Sequence, residues 1–208
     1  MNAVWFRILA SLFLFGAITA RGSEPHTIIF FGDSLTAGYG LPDPSSESYP
    51  ALIQEKIDEA GRPWRIVNAG LSGETTSAGL RRVDWILRQP VDIFVLALGA
   101  NDGLRGINPS VSRDNLQKII ERVRAKNPKA KIVLAGMQIP PSMGAAFSRK
   151  FERIFPEVAE KYDATLVPFL LDGVGGRVDL NQPDRIHPTA KGHAIIADTV
   201  WKVLRPLL

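Results

Sequence analysis

The sequence predicts a three-layer α/β/α sandwich built on a five-stranded parallel sheet of flavodoxin-like order 2-1-3-4-5. Three observations point there. Apolar runs of strand length alternate along the chain with segments of helical period, the pattern of parallel strands joined by crossover helices. The run Val91-Asp92-Ile93-Phe94-Val95-Leu96-Ala97-Leu98 is nearly unbroken in apolar character, as expected of a strand covered on both faces. Right-handed crossovers with a switch point beside the first strand then bring the carboxyl ends of strands one, two and three to a single crevice.

Taken in order, Thr27-Ile28-Ile29-Phe30-Phe31 reads as the first strand and runs into the turn formers Gly32 and Asp33. Further strands are expected near residues 64–68, 91–98, 131–136 and 165–169, the third of them central. Helices are expected near 49–60, 76–88, 111–126, 146–162 and 189–204. Leu116, Ile119, Ile120 and Val123 recur at helical spacing, as do Ile196, Val200 and Leu204, so both sets are read as core faces without a chemical role. Leu170 to Pro188 carries neither period, and so long a loop in a compact domain is usually functional or disordered.

At 208 residues with 45% apolar content, the chain can bury one substantial core and is read as a single domain over residues 21–208. Residues 1–20 differ from the rest. Arg7 is their only charge, Ile8 to Ala17 is apolar, and Ala17-Ile18-Thr19-Ala20 ends on a small residue, so the segment reads as a secretory signal peptide. The apolar run is shorter than the ~20 residues of a spanning helix, and the expected product is exported, periplasmic or secreted, without stable membrane insertion. Its removal leaves 24 basic against 21 acidic residues, a scattered surplus of +3 that gives no footprint for nucleic acid. The absence of cysteine excludes disulfides, thiol catalysis and cysteine-based zinc sites.

Chemistry enters where the strands end. Ser34 follows the first strand in Gly32-Asp33-Ser34-Leu35-Thr36-Ala37-Gly38, and a serine hydroxyl needs a base and a group to orient that base before it can attack a carbonyl. Asp184-Arg185-Ile186-His187-Pro188 offers both, with Pro188 restricting the backbone of His187. Asn68-Ala69-Gly70-Leu71-Ser72-Gly73 follows the second strand and Gly99-Ala100-Asn101-Asp102-Gly103 the third. A glycine amide and an asparagine side chain suit the stabilisation of an oxyanion. Each segment alone is an ordinary turn; the four in this order, each near a strand's end, point to acyl transfer.

These blocks resemble the SGNH or GDSL hydrolase family, most closely its bacterial thioesterase I, lysophospholipase and arylesterase branch. Gly32 to Tyr39, Ser72-Gly73-Glu74-Thr75, Asn101 to Gly106 and Ile186-His187-Pro188 carry the likeness, which extends over nearly all of residues 27–208. The resemblance implies Ser34 as nucleophile, His187 as general base and Asp184 as its orienting carboxylate. It implies an oxyanion hole made by the Ser34 amide, the Gly70 amide and the Asn101 side chain. The expected substrates are small-molecule carboxylic esters, with thioesters or lysophospholipids as further members. A carbohydrate O-acetyl esterase is the rival enzyme, and a silent lipid- or glycan-binding module the rival of another class. No G-x-S-x-G elbow is present, which counts against the common α/β-hydrolase fold.

The remaining features receive plainer readings. No histidine or carboxylate cluster has metal-ligand spacing, and neither metal nor cofactor is expected. His26 and His193 are read as surface or capping residues, Asp33 as shaping the turn before the nucleophile, and Gly173-Val174-Gly175-Gly176 as a flexible stretch. Met137 to Phe147 is unusually apolar for a loop, so Met143 and Phe147 are expected to line an acyl-chain groove.

Overall fold

A computed structural model describes residues 25–208; the expected signal peptide lies outside the described residues. Five strands form one parallel sheet in the order β2-β1-β3-β4-β5: β1 His26–Gly32, β2 Trp64–Gly70, β3 Ile93–Ala97, β4 Lys131–Ala135 and β5 Thr165–Val167. This is the predicted sandwich, with β3, β4 and β5 trimmed at their ends. β1 is paired on both sides, from Gly32 opposite Gly70 on β2 to Gly32 opposite Ala97 on β3, so the three strands end level with one another. That alignment is what assembles the site.

Eight α-helices accompany the sheet among the described residues: α1 Ser34–Ala37, α2 Pro44–Glu47, α3 Tyr49–Glu59, α4 Thr76–Ile86, α5 Ala100–Leu104, α6 Pro109–Lys126, α7 Ala145–Lys161 and α8 Ala190–Leu204. α3 packs with α8, and α6 packs with both α4 and α7, giving the two outer layers. The sequence pattern misses α1, α2 and α5, because helices of four or five residues are too short to display a period. Ile28, Ile29, Phe30 and Phe31 are wholly buried between the layers, each worth roughly 1.5–3 kcal/mol by its removal from water.

One reading changes, and of the two alternatives for His193 the capping one holds. Gly173 to Gly176 is not a loose stretch: Val174 is completely buried, and its carbonyl accepts from Asn181 Nδ2 at 2.8 Å. His193 is not on the surface. It is 1% exposed, and its Nδ1 accepts the backbone N–H of Tyr49, the first residue of α3, at 3.2 Å. The histidine therefore caps a helix other than its own, one that starts 144 residues earlier in the chain.

That contact requires an unprotonated Nδ1, and burial, followed by the nearby His187 charge, pulls the His193 pKa down to about 4. The unfolded chain takes up a proton here near 6.5 while the folded chain resists until about 4, so this residue's stabilising contribution is full above 6.5 and declines as pH falls toward 4. The upper bound of the effect is about 3 kcal/mol. We expect the stability cost of His193→Gln, measured by urea unfolding at pH 7, to shrink at pH 5; an equal cost at both values would remove His193 from the acid sensitivity of the fold.

Candidate active site

Ser34 opens α1 directly after β1. Gly32 is compulsory before it, since a Cβ there would lie 2.1 Å from Thr36 Oγ1 and 2.8 Å from the Ala97 carbonyl. The Asp33 side chain caps the helix by accepting from Leu35 N–H at 3.0 Å, as its reading as a turn-shaping residue expects. As first residue of a helix, Ser34 also presents a backbone N–H with no intrahelical acceptor. Thr36 Oγ1 and Tyr49 Oη lie 2.8 Å apart and tie α1 to the start of α3.

From the far end of the chain, the loop after β5 returns to this point. It is closed on itself by the antiparallel bridge between Asn181 and Pro188 and by the Gln182 N–H donating to the His187 carbonyl at 2.7 Å. Gln182 Nε2 also donates to the Tyr39 carbonyl at 2.7 Å, holding the loop against the turn that follows α1. His187 Nε2 is thereby set 2.9 Å from Ser34 Oγ, and His187 Nδ1 lies 2.6 Å from Asp184 Oδ2. The Tyr39 ring sits 4.7 Å from the imidazole, centroid to centroid, tilted 47° against it.

Asp184 keeps its place through its second oxygen. Oδ1 accepts the backbone N–H groups of Ile186 at 2.9 Å and His187 at 3.0 Å, a turn made possible by Arg185 at φ 60°. Partial burial pulls this carboxyl upward, but the His187 side chain and the two backbone donors outweigh it and hold the pKa at about 2. It stays ionised at any pH where a histidine base is neutral.

The oxyanion donors need a correction. Gly70 lies on the edge strand β2, where alternate amides point toward β1 and away from it. Leu71 N–H turns inward to the Gly32 carbonyl at 2.9 Å, whereas Gly70 N–H turns outward and is taken by Asn68 Oδ1 at 3.0 Å. A donor so engaged is not available to a substrate. Gly73, three residues on, stands at φ 78° in the loop before α4 and, among the described residues, no acceptor engages its N–H. Its carbonyl accepts from Arg105 Nη2 at 3.1 Å, and the same nitrogen donates to Asn101 Oδ1 at 3.4 Å, so Gly73 and Asn101 are neighbours across the crevice.

A buried carboxylate fixes those two loops together. Asp102, fully buried, accepts from Thr76 N–H at 2.8 Å, from Thr76 Oγ1 at 2.5 Å and from Ser112 Oγ at 3.0 Å, joining the start of α4 to α5 and α6. The sequence reading gave it no role. Under α5, a Cβ on Gly103 would come within 2.2 Å of Ile139 Cγ2, so the apolar loop after β4 packs directly on the helix that carries Asn101. In that loop Met143 is 39% exposed, while Phe147, expected in the loop, stands in the first turn of α7 and packs its ring 6.2 Å from that of Phe151. The geometry thus brings Ser34, His187 and Asp184 into one hydrogen-bonded chain beside Asn101, and leaves Gly70 outside it.

Comparison with known proteins places the chain beside one family. A model of the GDSL-like lipase/acylhydrolase family matches residues 30–195. Esterase TesA of Pseudomonas aeruginosa is 38% identical over 92% of this chain and 94% of its own. Thioesterase 1/protease 1/lysophospholipase L1 of Escherichia coli is 35% identical over 92% and 89%, and an arylesterase of Vibrio mimicus 35% over 94% and 96%. Among solved structures, that of TesA superposes with a TM-score of 0.83 at 38% identity, covering 88% of this chain and all of the other. AlinE4, an SGNH-hydrolase family esterase, gives 0.73 at 44% identity, covering 90% and 99%.

Proposed function

The chain belongs to the GDSL-like lipase/acylhydrolase family and is a serine esterase, and we propose that it cleaves acyl and aryl esters through an acyl intermediate on Ser34. The observation that carries this reading is the unbroken line of contacts from Ser34 Oγ to His187 Nε2 and from His187 Nδ1 to Asp184 Oδ2. As Ser34 Oγ bonds to the ester carbon, its proton passes to His187 Nε2 and the carbonyl electron pair moves onto oxygen. The Ser34 amide, the Gly73 amide and Asn101 Nδ2 receive that oxyanion. When the carbonyl re-forms, the bond to the leaving oxygen breaks and His187 returns the proton to it. Water repeats the sequence, releasing the acid and restoring the Ser34 hydroxyl.

Removal of one such donor costs about 3 kcal/mol of barrier. Gly73 cannot lose its N–H by mutation except to proline, so Asn101 is the accessible test of the hole.

The substrate class rests on the apolar loop after β4, which packs on α5 beside Asn101, and on the names of the relatives. Esters with medium or long acyl chains, thioesters and lysophospholipids fit it better than acetylated sugars. Hydrolysis of p-nitrophenyl esters from acetyl to palmitoyl, with an acyl-CoA alongside, gives the preference. Trimming Met143 and Phe147 to alanine is expected to lower kcat/KM for the long esters about tenfold more than for the acetyl ester, consistent with roughly 1.4 kcal/mol of lost apolar contact. An unchanged chain-length profile would take the groove away from this loop, and a strict acetyl preference would favour the carbohydrate esterase.

No helix among the described residues is long and apolar enough to cross a membrane. Export with removal of roughly the first 20 residues completes the reading; amino-terminal sequencing of protein recovered from the periplasm or medium tests it.

A further inference from the structure

Asn101 is gripped at both ends of its carboxamide. Nδ2 donates to Asp33 Oδ2 at 3.3 Å, and Oδ1 accepts from Arg105 Nη2 at 3.4 Å. Arg105 Nη2 extends the line to the Gly73 carbonyl at 3.1 Å, and Asp33 Oδ1 extends it the other way to Leu35 N–H at 3.0 Å, in the first turn of the nucleophile's own helix. Asp33 is 1% exposed and cannot swing away. We propose that Asp33 and Arg105 are positioning residues that select the orientation of the Asn101 carboxamide and the Gly73 peptide, so that one N–H of each is left facing the developing oxyanion.

The proposal rests on the reading of Asn101 and Gly73 as oxyanion donors. A carboxamide is nearly symmetric in shape, and a half-turn about its last bond exchanges an oxygen for a nitrogen. The flipped form would aim lone pairs at the oxyanion and be worse than no side chain. Its neighbours decide between the two forms. An ionised carboxylate only accepts and a guanidinium only donates. In the observed orientation both contacts are matched; after a flip, Asp33 would meet an oxygen and Arg105 would meet an amide. Of the two protons on Asn101 Nδ2, Asp33 engages one, which leaves the other for the substrate.

This explains why an aspartate stands before the nucleophile where serine or asparagine would cap α1 equally well. Asparagine at 33 could keep the contact to Leu35 N–H through its oxygen, but its amide would then face Asn101 Nδ2 and favour the flipped form. Burial pushes the Asp33 carboxyl up to about 7, against the pull of Leu35 N–H, Asn101 and His187, so the buried charge that this orientation needs is held fully only above that pH.

Asp33→Asn is isosteric and removes that buried charge, so its Tm should equal or exceed that of the wild type while kcat falls about 30-fold at unchanged KM. Arg105→Met should lower kcat about tenfold, and Asn101→Ala about 100-fold. The decisive readout is the double mutant: added to Asn101→Ala, Asp33→Asn should cost less than about threefold more, because two groups acting through one donor are not additive. Full additivity would mean that Asp33 acts elsewhere, for instance on the His187 charge, and would overturn the proposal while leaving Asn101 as a donor. Wild-type kcat in Asp33→Asn and Arg105→Met, with Asn101→Ala still impaired, would overturn it equally. An unimpaired Asn101→Ala would remove the oxyanion reading itself and the proposal with it.

Discussion

Ser34→Ala is expected to lower kcat for a p-nitrophenyl ester by at least ~10⁴-fold with little change in Tm. The side chain is small and nearly buried, and its loss leaves no charge unpaired. What disappears is the oxygen placed 2.9 Å from His187 Nε2. The remaining groups could still orient a water, so a residual rate above the uncatalysed one is consistent with the account. A fall of less than tenfold would not be, because it would mean that the main path never formed a bond to Ser34.

The second large effect is Asp184→Asn, for which we expect a loss of about 10⁴ in kcat with the loop intact. Asparagine keeps one oxygen to accept the N–H groups of Ile186 and His187, which donate to Asp184 Oδ1 at 2.9 and 3.0 Å. Its amide then faces His187 Nδ1 and donates to it. The proton of the neutral imidazole is driven to Nε2, where it blocks the removal of a proton from Ser34. Circular dichroism and unfolding curves close to wild type would accompany the loss. Because the Asp184 carboxyl titrates at about 2, the wild-type activity should show no inflection from this group between pH 5 and 8.

The fold was legible because the central strands are covered on both faces. Ile93 to Ala97 is buried at every position, and that continuity is visible in the sequence as an apolar run. Ser34, His187 and Asn101 were legible as one candidate site because each stands in a short block whose residue types have a chemical reason to be there. Gly70 misled for a physical cause. One glycine ends β2 and a second follows three residues later, and only the pairing with β1 decides that the amide of Gly70 points outward to Asn68 while that of Gly73 is left open. No pattern in one strand carries that information.

The same holds for contacts between distant segments. Asp33 and Asn101 are separated by 68 positions, and Thr76 and Asp102 by 26, so their partnership follows from the level ends of β1, β2 and β3 rather than from any spacing. His193 sits one turn into an amphipathic helix, where a polar residue reads as exposed; its burial depends on Tyr49 of α3 lying across it.

One measurement reaches the central claim directly: labelling of the purified protein with a p-nitrophenyl alkylphosphonate, followed by peptide mass spectrometry and assay of residual ester hydrolysis. The account predicts one phosphonyl group per chain, on the peptide that contains Ser34, with activity falling in step with labelling, no label in Ser34→Ala and greatly slowed labelling in Asp184→Asn. Label on another residue, or undiminished hydrolysis by protein fully modified at Ser34, would contradict it.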